Sequence, residues 1–382
     1  MNKTVKAIVW IIVLLLVIWG ISALTGKKDE PVSEGPIKIG FISPLTGDAA
    51  VYGEPARNTV ELAVEEINAA GGINGQQIQL VYEDDECTGP TAVSAVQKLV
   101  DVDKVQIILG SMCSGATIPS VPIAAKSGVT IFSFGASSPD LTGISKFFAR
   151  DYPSDATQGK VLAELANKQG WQTVAVIQEQ TEYATGLYGA FDESFKLLGG
   201  KTLNEAFPTN TSDFRSILTK LKDQNPDALF LSVQTAASGE RILKQLGELN
   251  WKPKLLLSDS FAGDSVTIKN NAVSLEGAYA AEFIPDLSNL KLQNLVTSYT
   301  TKYNVEEVPY LGYMATTYDA VYLVRDGLIA GGNDGEKFAE WIRTVKGWQG
   351  ASGVVTMEES GDRSSGHKAE VVKNGKIEPY QQ

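Results

Sequence analysis

The chain has one histidine, His367, and that limits its chemistry at once. A serine–histidine triad or a multi-histidine zinc site would need this residue, close to the C-terminus. Two cysteines, Cys87 and Cys113, are too few alone for structural zinc and suit a single disulfide if the compartment is oxidising. The acidic run Asp84, Asp85, Glu86 contains the carboxylates a hydrolase would pair. Neighbours in a strand point to alternate faces, so the run reads as the solvated end of a strand. Gly71, Gly72 and Gly75 follow a helical stretch and precede a strand, the reverse of a dinucleotide fingerprint. An enzyme, a cofactor and a metal are therefore not expected.

Four loops remain as candidates: Ser43 to Gly53 (SPLTGDAAVYG), Gly110 to Thr117 (GSMCSGAT), Phe134 to Pro139 (FGASSP) and Ser258 to Gly263 (SDSFAG). They are rich in Gly, Ser and Thr, and each precedes a helical stretch. Hydroxyls and backbone N–H groups at helix starts hold anions, because those donors lack intrahelical partners and sit at the positive end of the helix dipole. A carboxylate-bearing ligand fits them, although the same residues also serve as ordinary caps and turns.

The elements that must position these loops alternate. IKIGFIS (Ile37 to Ser43), QIQLVYE (Gln77 to Glu83), VQIILG (Val105 to Gly110) and VTIF (Val129 to Phe132) read as strands, with helices over Asn58 to Ala69, Thr91 to Val100 and Ala116 to Lys126. A second series has strands Thr173 to Gln178, Ala228 to Val233 and Lys254 to Asp259. Its helices are Ser154 to Lys168, Leu187 to Leu198, Phe214 to Lys222 and Gly239 to Leu249. Such βαβ alternation predicts two doubly wound α/β units with parallel sheets, and ligands bind outside the carboxyl ends of such strands. Helices Leu287 to Tyr303, Tyr310 to Ala330 and Lys337 to Val345 follow, then Ala369 to Ile377 with the hairpin turn signal Asn374-Gly375.

Length and charge agree with a large folded protein. At 382 residues two to three domains are expected, and 43% apolar with 20% charged residues is ordinary for a globular chain. A net charge of −12 makes nucleic acid an unfavourable partner. Ahead of the folded part, Ala7 to Leu24 is an unbroken apolar run flanked by Lys3 and Lys6, longer than the core of most cleaved signals and without a clear cleavage site. We expect a signal-anchor within residues 1–25 and a polar tether over 26–36, with no cysteine for lipid attachment.

Three stretches carry a family resemblance: EEINAAGGINGQQIQLVYEDDECTGPTAV, ILGSMCSGATIPSVPIA and FSFGASSPDLTG. Over Glu65 to Leu141 the chain resembles the leucine/isoleucine/valine-binding proteins of ABC importers, type I periplasmic binding proteins, and weaker likeness runs from Ile37 to near the C-terminus. The resemblance implies two Rossmann-like lobes joined by three crossovers, lobe one at 37–153 plus 286–357 and lobe two at 154–285 plus 358–382. It implies a Cys87–Cys113 disulfide. It further implies that Ser114 and Ser137 bind a ligand α-carboxylate, that the Gly135 carbonyl, beside Ala136, meets the ammonium, and that Asp259 stands in for a family Glu that pairs with it. Tyr52, Tyr183, Tyr313 and Met112 would line the side-chain pocket. Gln234 and Thr235 occupy the place of an expected aromatic. The implied protein is monomeric, sits at the extracytoplasmic face held by its N-terminal segment, and passes an amino acid or amide to ABC permease subunits. A ligand-sensing ectodomain of the same fold is the alternative.

Overall fold

The computed structural model describes residues 35–364 and 366–380, together with Asn2. The expected anchor lies outside the described residues; among those residues, no helix is long and apolar enough to cross a membrane.

In chain order the first series is β1 (Ile37–Ser43), α1 (Ala50–Ala69), β2 (Ile78–Asp84), α2 (Gly89–Asp101), β3 (Ile107–Gly110), α3 (Ser114–Lys126), β4 (Thr130–Ser133) and β5 (Phe148–Arg150). Its strands pair in the order β2-β1-β3-β4-β5, all parallel. Six of the seven residues of β1 and all four of β3 are buried, as expected for strands covered by helices on both faces.

The second series is α4 (Asp155–Lys168), β6 (Thr173–Glu179), α5 (Glu182–Leu197), β7 (Lys201–Phe207), α6 (Arg215–Lys222), β8 (Ala228–Ser232), α7 (Ala236–Glu248), β9 (Lys254–Leu257), the short α8 (Asp259–Ala262), α9 (Ser265–Asn270) and α10 (Ala272–Leu275), and β10 (Tyr279–Glu282). Helices α11 (Leu290–Tyr303), α12 (Leu311–Gly331) and α13 (Gly335–Thr344) follow, then β11 (Trp348–Gly350), β12 (Gly353–Val355), β13 (Lys368–Lys373) and β14 (Lys376–Pro379). The second sheet has the order β14-β13-β10-β9-β8-β6-β7, parallel except where β13 pairs with β10 and β14. The Asn374-Gly375 turn joins β13 to β14, and both residues have positive φ (51° and 71°), the backbone that a two-residue type I′ hairpin loop requires.

Apolar packing divides the chain as the strands do. One core gathers Phe41, Phe132, Phe148 and Tyr152 with Phe283, Tyr313, Met314 and Met357. The clusters around the second sheet run from Leu162 to Ala281 and resume at Val372. The chain therefore passes between the two halves three times, near Tyr152, between Ala281 and Phe283, and after Met357. The last third returns its helices to the first half: α12 packs on α1, and α13 on β4 and β5.

Two expectations change. Helix α1 begins at Ala50 rather than Asn58, so Tyr52 stands on a helix and not in a loop. Pro55 sits inside that helix, and its carbonyl accepts a hydrogen bond from the Thr59 hydroxyl. The acidic run is not wholly solvated either: Asp85 is fully buried, its carboxylate accepting from the Cys87 N–H (2.8 Å). It turns inward to cap the loop that carries the cysteine.

Candidate functional site

Strand order fixes where a site can form. In the first sheet the connections reverse direction between β1 and β3, and in the second between β6 and β8. Loops leaving neighbouring strands there diverge to opposite faces and leave a crevice. Tyr52 follows β1 and Met112 to Ser114 follow β3; Tyr183 follows β6 and Gln234 follows β8. The two crevices meet. Tyr52, Met112, Cys113, Gly135, Ser137, Tyr183, Gln234, Ser260 and Tyr313 line one cavity of about 30 Å³. That is room for water rather than for an amino acid.

Asp259 is the centre of the arrangement. It opens α8, directly after β9, and is buried. Its Oδ2 accepts from Tyr152 (2.7 Å) and Tyr313 (2.8 Å), and its Oδ1 from the Tyr183 hydroxyl and the Ser260 N–H (2.8 Å). The Tyr152 and Tyr313 rings stack with centroids 4.0 Å apart. Burial first, then the charge of Asp259, pushes these three phenols well above their ordinary range, so they remain donors at any physiological pH. Tyr152 and Tyr313 belong to the first core and Asp259 to the second half, so these bonds also hold the halves together.

Besides Tyr152, two residues beside Asp259 were not expected in the site: Asp155 and the single histidine, His367. Asp155, the first residue of α4, is buried and accepts from the Ser137 hydroxyl (2.8 Å), while its Oδ1 has no partner among the described residues. His367 is also buried; its Nδ1 lies 2.8 Å from Thr157 Oγ1 and its Nε2 3.9 Å from Asp259 Oδ2, without a hydrogen bond. Asp155, Asp259 and His367 each offer an atom within 4.8 Å of the others. Burial, reinforced by the charge of Asp259, raises the Asp155 carboxyl well above its usual range. Two carboxylates this close with no cation between them do not both ionise comfortably, and Asp259 has the four donors. Burial also lowers His367 to about 4, leaving its imidazole neutral at neutral pH.

The anion side is built differently. Helix α3 starts at Ser114 without any side-chain cap on its N-terminus. The Ser114 hydroxyl accepts from the Ser138 N–H (3.1 Å), and the Ser133 hydroxyl donates to the Ser111 carbonyl (2.7 Å), which ties the two loops together. Arg150 fixes the second loop from below. Its buried guanidinium donates to the Ala136 (3.2 Å) and Ser138 (2.8 Å) carbonyls and pairs with Asp362 at 2.7 Å. Gly135 leaves little room for a side chain, since a Cβ there would lie 3.2 Å from Met112 Cα and Met112 would have to give by a few tenths of an ångström. Cys87 and Cys113 form a disulfide with Cα atoms 5.4 Å apart, securing the residue that precedes Ser114. The Tyr52 hydroxyl donates to the Gln234 and Ser260 carbonyls, both at 3.0 Å, so that it too spans the crevice.

Of the expected residues, Tyr52, Met112, Gly135, Ser137, Tyr183 and Tyr313 line the cavity, Ser114, Ala136 and Asp259 do not, and the Ser137 hydroxyl is engaged with Asp155. Asp155 and Tyr152 fall within RDYPSD, at the first crossing between halves, and His367 lies at the third. No local motif announces such positions. The one signal available was the density of ionisable residues in a crossing segment.

Two α/β halves, crossed three times and closing on a buried polar site at their paired switch points, define a two-lobe solute-binding protein, a class that binds rather than transforms its ligand. The chain belongs to the periplasmic binding protein family, whose model matches residues 36–373. It is 28% identical to the Leu/Ile/Val-binding protein BraC3 of Rhizobium johnstonii, over 88% of this chain and 91% of that one. It superposes on the leucine-binding protein LivK of Thermotoga maritima with a TM-score of 0.83 at 27% identity, covering 90% of this chain and 98% of that one. The branched-chain amino acid transporter substrate-binding protein LivJ of Streptococcus pneumoniae, solved with isoleucine, gives 0.80 at 27% identity with the same coverages.

Proposed function

We propose that the protein captures an amino acid, or a similarly small zwitterion, between its lobes and delivers it to the permease of an ABC importer. The observation that carries this reading is the pair of buried carboxyls, Asp155 and Asp259, opposite an uncapped helix N-terminus bearing Ser114. A zwitterion leaving water must find a fixed partner for each charge, because an unpaired buried charge is costly. Asp259 and Asp155 receive the ammonium with the Gly135 carbonyl. Ser114, Ser137 and the first N–H groups of α3 receive the carboxylate. Met112, Tyr52, Tyr183 and Tyr313 bound the side chain.

The ammonium also supplies the cation that two adjacent carboxyls lack, so Asp155 releases its proton to solvent, and its Ser137 contact is free to rearrange toward the carboxylate. Ligand contacts to both lobes favour the closed form over the open one. We take the lobes as 37–153 plus 286–357 against 154–285 plus 358–382, with the second crossing beginning before Phe283, which already packs in the first core. The protein acts as a monomer on the extracytoplasmic side, retained at the membrane through residues 7–24.

A thermal-shift screen against amino acids and small amides tests the reading. A ligand present at about 100 times its Kd adds about 2.7 kcal/mol of stability. Stabilisation by one or a few amino acids is expected. Stabilisation by neutral amides alone would reject the zwitterion.

A further inference from the structure

Behind the stacked rings of Tyr152 and Tyr313 a second, larger cavity of about 740 Å³ opens between the lobes. Phe283, Val308 and Leu311 wall it on one side and Ile268 and Ile377 on the other. At its edge the second sheet presents two carboxyls that the functional reading above leaves unused. Glu370 on β13 is the register partner of Ala280 on β10, so Glu282, two residues further along, is its diagonal neighbour on the same face.

Glu370 is only 5% exposed. Its Oε2 and Glu282 Oε1 are buried atoms that no donor reaches among the described residues. Two acceptor-only groups set against each other are satisfied only by a shared proton or by a cation. The charged groups facing them are Lys368, directly opposite Glu282 on the sheet, Asp259 beyond the tyrosines, and Glu306, Glu307, Lys269 and Lys376 on the cavity lining. Four carboxyls against two ammonium groups leave the lining anionic.

We propose that this cavity is a second interlobe site, for a monovalent organic cation whose charged end replaces the proton between Glu282 and Glu370 while its apolar body lies along Phe283, Val308 and Ile268. A bare metal ion would leave those apolar walls unused. Both lobes contribute to the lining, so the occupant favours closure and is coupled to the principal site. Burial pushes Glu370 up to about 7, so the proton is held more tightly as pH falls and the cation binds more weakly. Each cation bound at acid pH expels that proton to solvent.

The probe is phenethylammonium chloride, titrated calorimetrically into the purified protein. Wild type should bind it, with affinity falling between pH 8 and pH 6 and with proton release visible in buffers of different ionisation enthalpy. The double variant Glu282→Gln, Glu370→Gln keeps an amide pair in place of the acid pair and should lose roughly tenfold or more, the cost of a charge-assisted contact. Unchanged affinity in the double variant, binding of calcium chloride in place of the amine, or no proton release by wild type at pH 6 would each overturn the proposal, the last without relying on any variant.

Discussion

Replacing Asp259 by Asn removes one charge and almost nothing else. With its carbonyl at the Oδ1 position the amide still accepts from the Tyr183 hydroxyl and the Ser260 N–H, and the Tyr152 and Tyr313 hydroxyls can turn to accept from the amide nitrogen, so the cage of Tyr152, Tyr183 and Tyr313 has a route to keep its shape. The ligand loses more. An ammonium about 4 Å from the carboxylate gains about 4 kcal/mol at an effective dielectric of about 20. The second carboxyl, Asp155, within 4.8 Å, continues to hold part of that charge. The net loss is then about 2 to 4 kcal/mol, or roughly 30-fold to 1000-fold in Kd. Ser114→Ala removes one neutral donor among several and costs about 1 to 3 kcal/mol. Calorimetric titration of both variants with the strongest amino acid from the thermal screen gives the order. Asp259→Asn binding that ligand with unchanged affinity, or Ser114→Ala losing more than Asp259→Asn, would refute the assignment of Asp259 to the ammonium.

Further outcomes follow from the same geometry. Binding should weaken as pH falls from the alkaline side, because the ammonium needs Asp155 ionised and burial raises that carboxyl; titrations over a series of pH values in wild type and Asp155→Asn check it, the variant being flatter. Asp85 is raised by burial to about 6, so its contribution to stability is present below pH 4 and is lost as pH rises through 6. Asp85→Asn should flatten urea midpoints between pH 4 and pH 7 by about 2 to 3 kcal/mol. Reducing the Cys87–Cys113 bridge, which spans 26 residues, should cost about 3 kcal/mol in urea unfolding and loosen ligand binding through Ser114. Arg150→Met strands Asp362 and two loop carbonyls and should cost about 3 to 5 kcal/mol of stability, read from the same unfolding curves.

Local signals carried most of the fold. The strands β1, β3, β6, β8 and β9 are apolar runs bounded by turn residues, and βα alternation leads directly to parallel sheets and thence to the loops that bind. Strand β7, KTLNEAF, is an edge strand whose residues are mostly exposed or half-buried, so it has no apolar run to read. Gly53 and Pro55 punctuate the first turns of helix α1, so its start at Ala50 is not marked by local signals. Gly53 is there for close approach, since a Cβ would meet the Pro44 carbonyl oxygen at 1.8 Å. The site divides on the same line. The loops following strands that hold Ser114, Ser137 and Asp259 were legible from topology, and these residues within them only from the family resemblance. Tyr152, Asp155 and His367 were not, because they lie where the chain crosses between lobes; Thr157 and its contact His367 are 210 residues apart. Pairing across such a separation is a property of the closed fold and leaves no periodic trace.

The central claim is that one buried site holds both charges of a zwitterion. Its most direct test is a competition titration of the bound amino acid against its decarboxylated amine and its deaminated acid at pH 7.5. Both analogues should bind at least roughly tenfold more weakly than the parent, each leaving one set of buried partners without its charge. A deaminated acid that bound as tightly as the amino acid would contradict the account, since Asp155 and Asp259 would then face no cation.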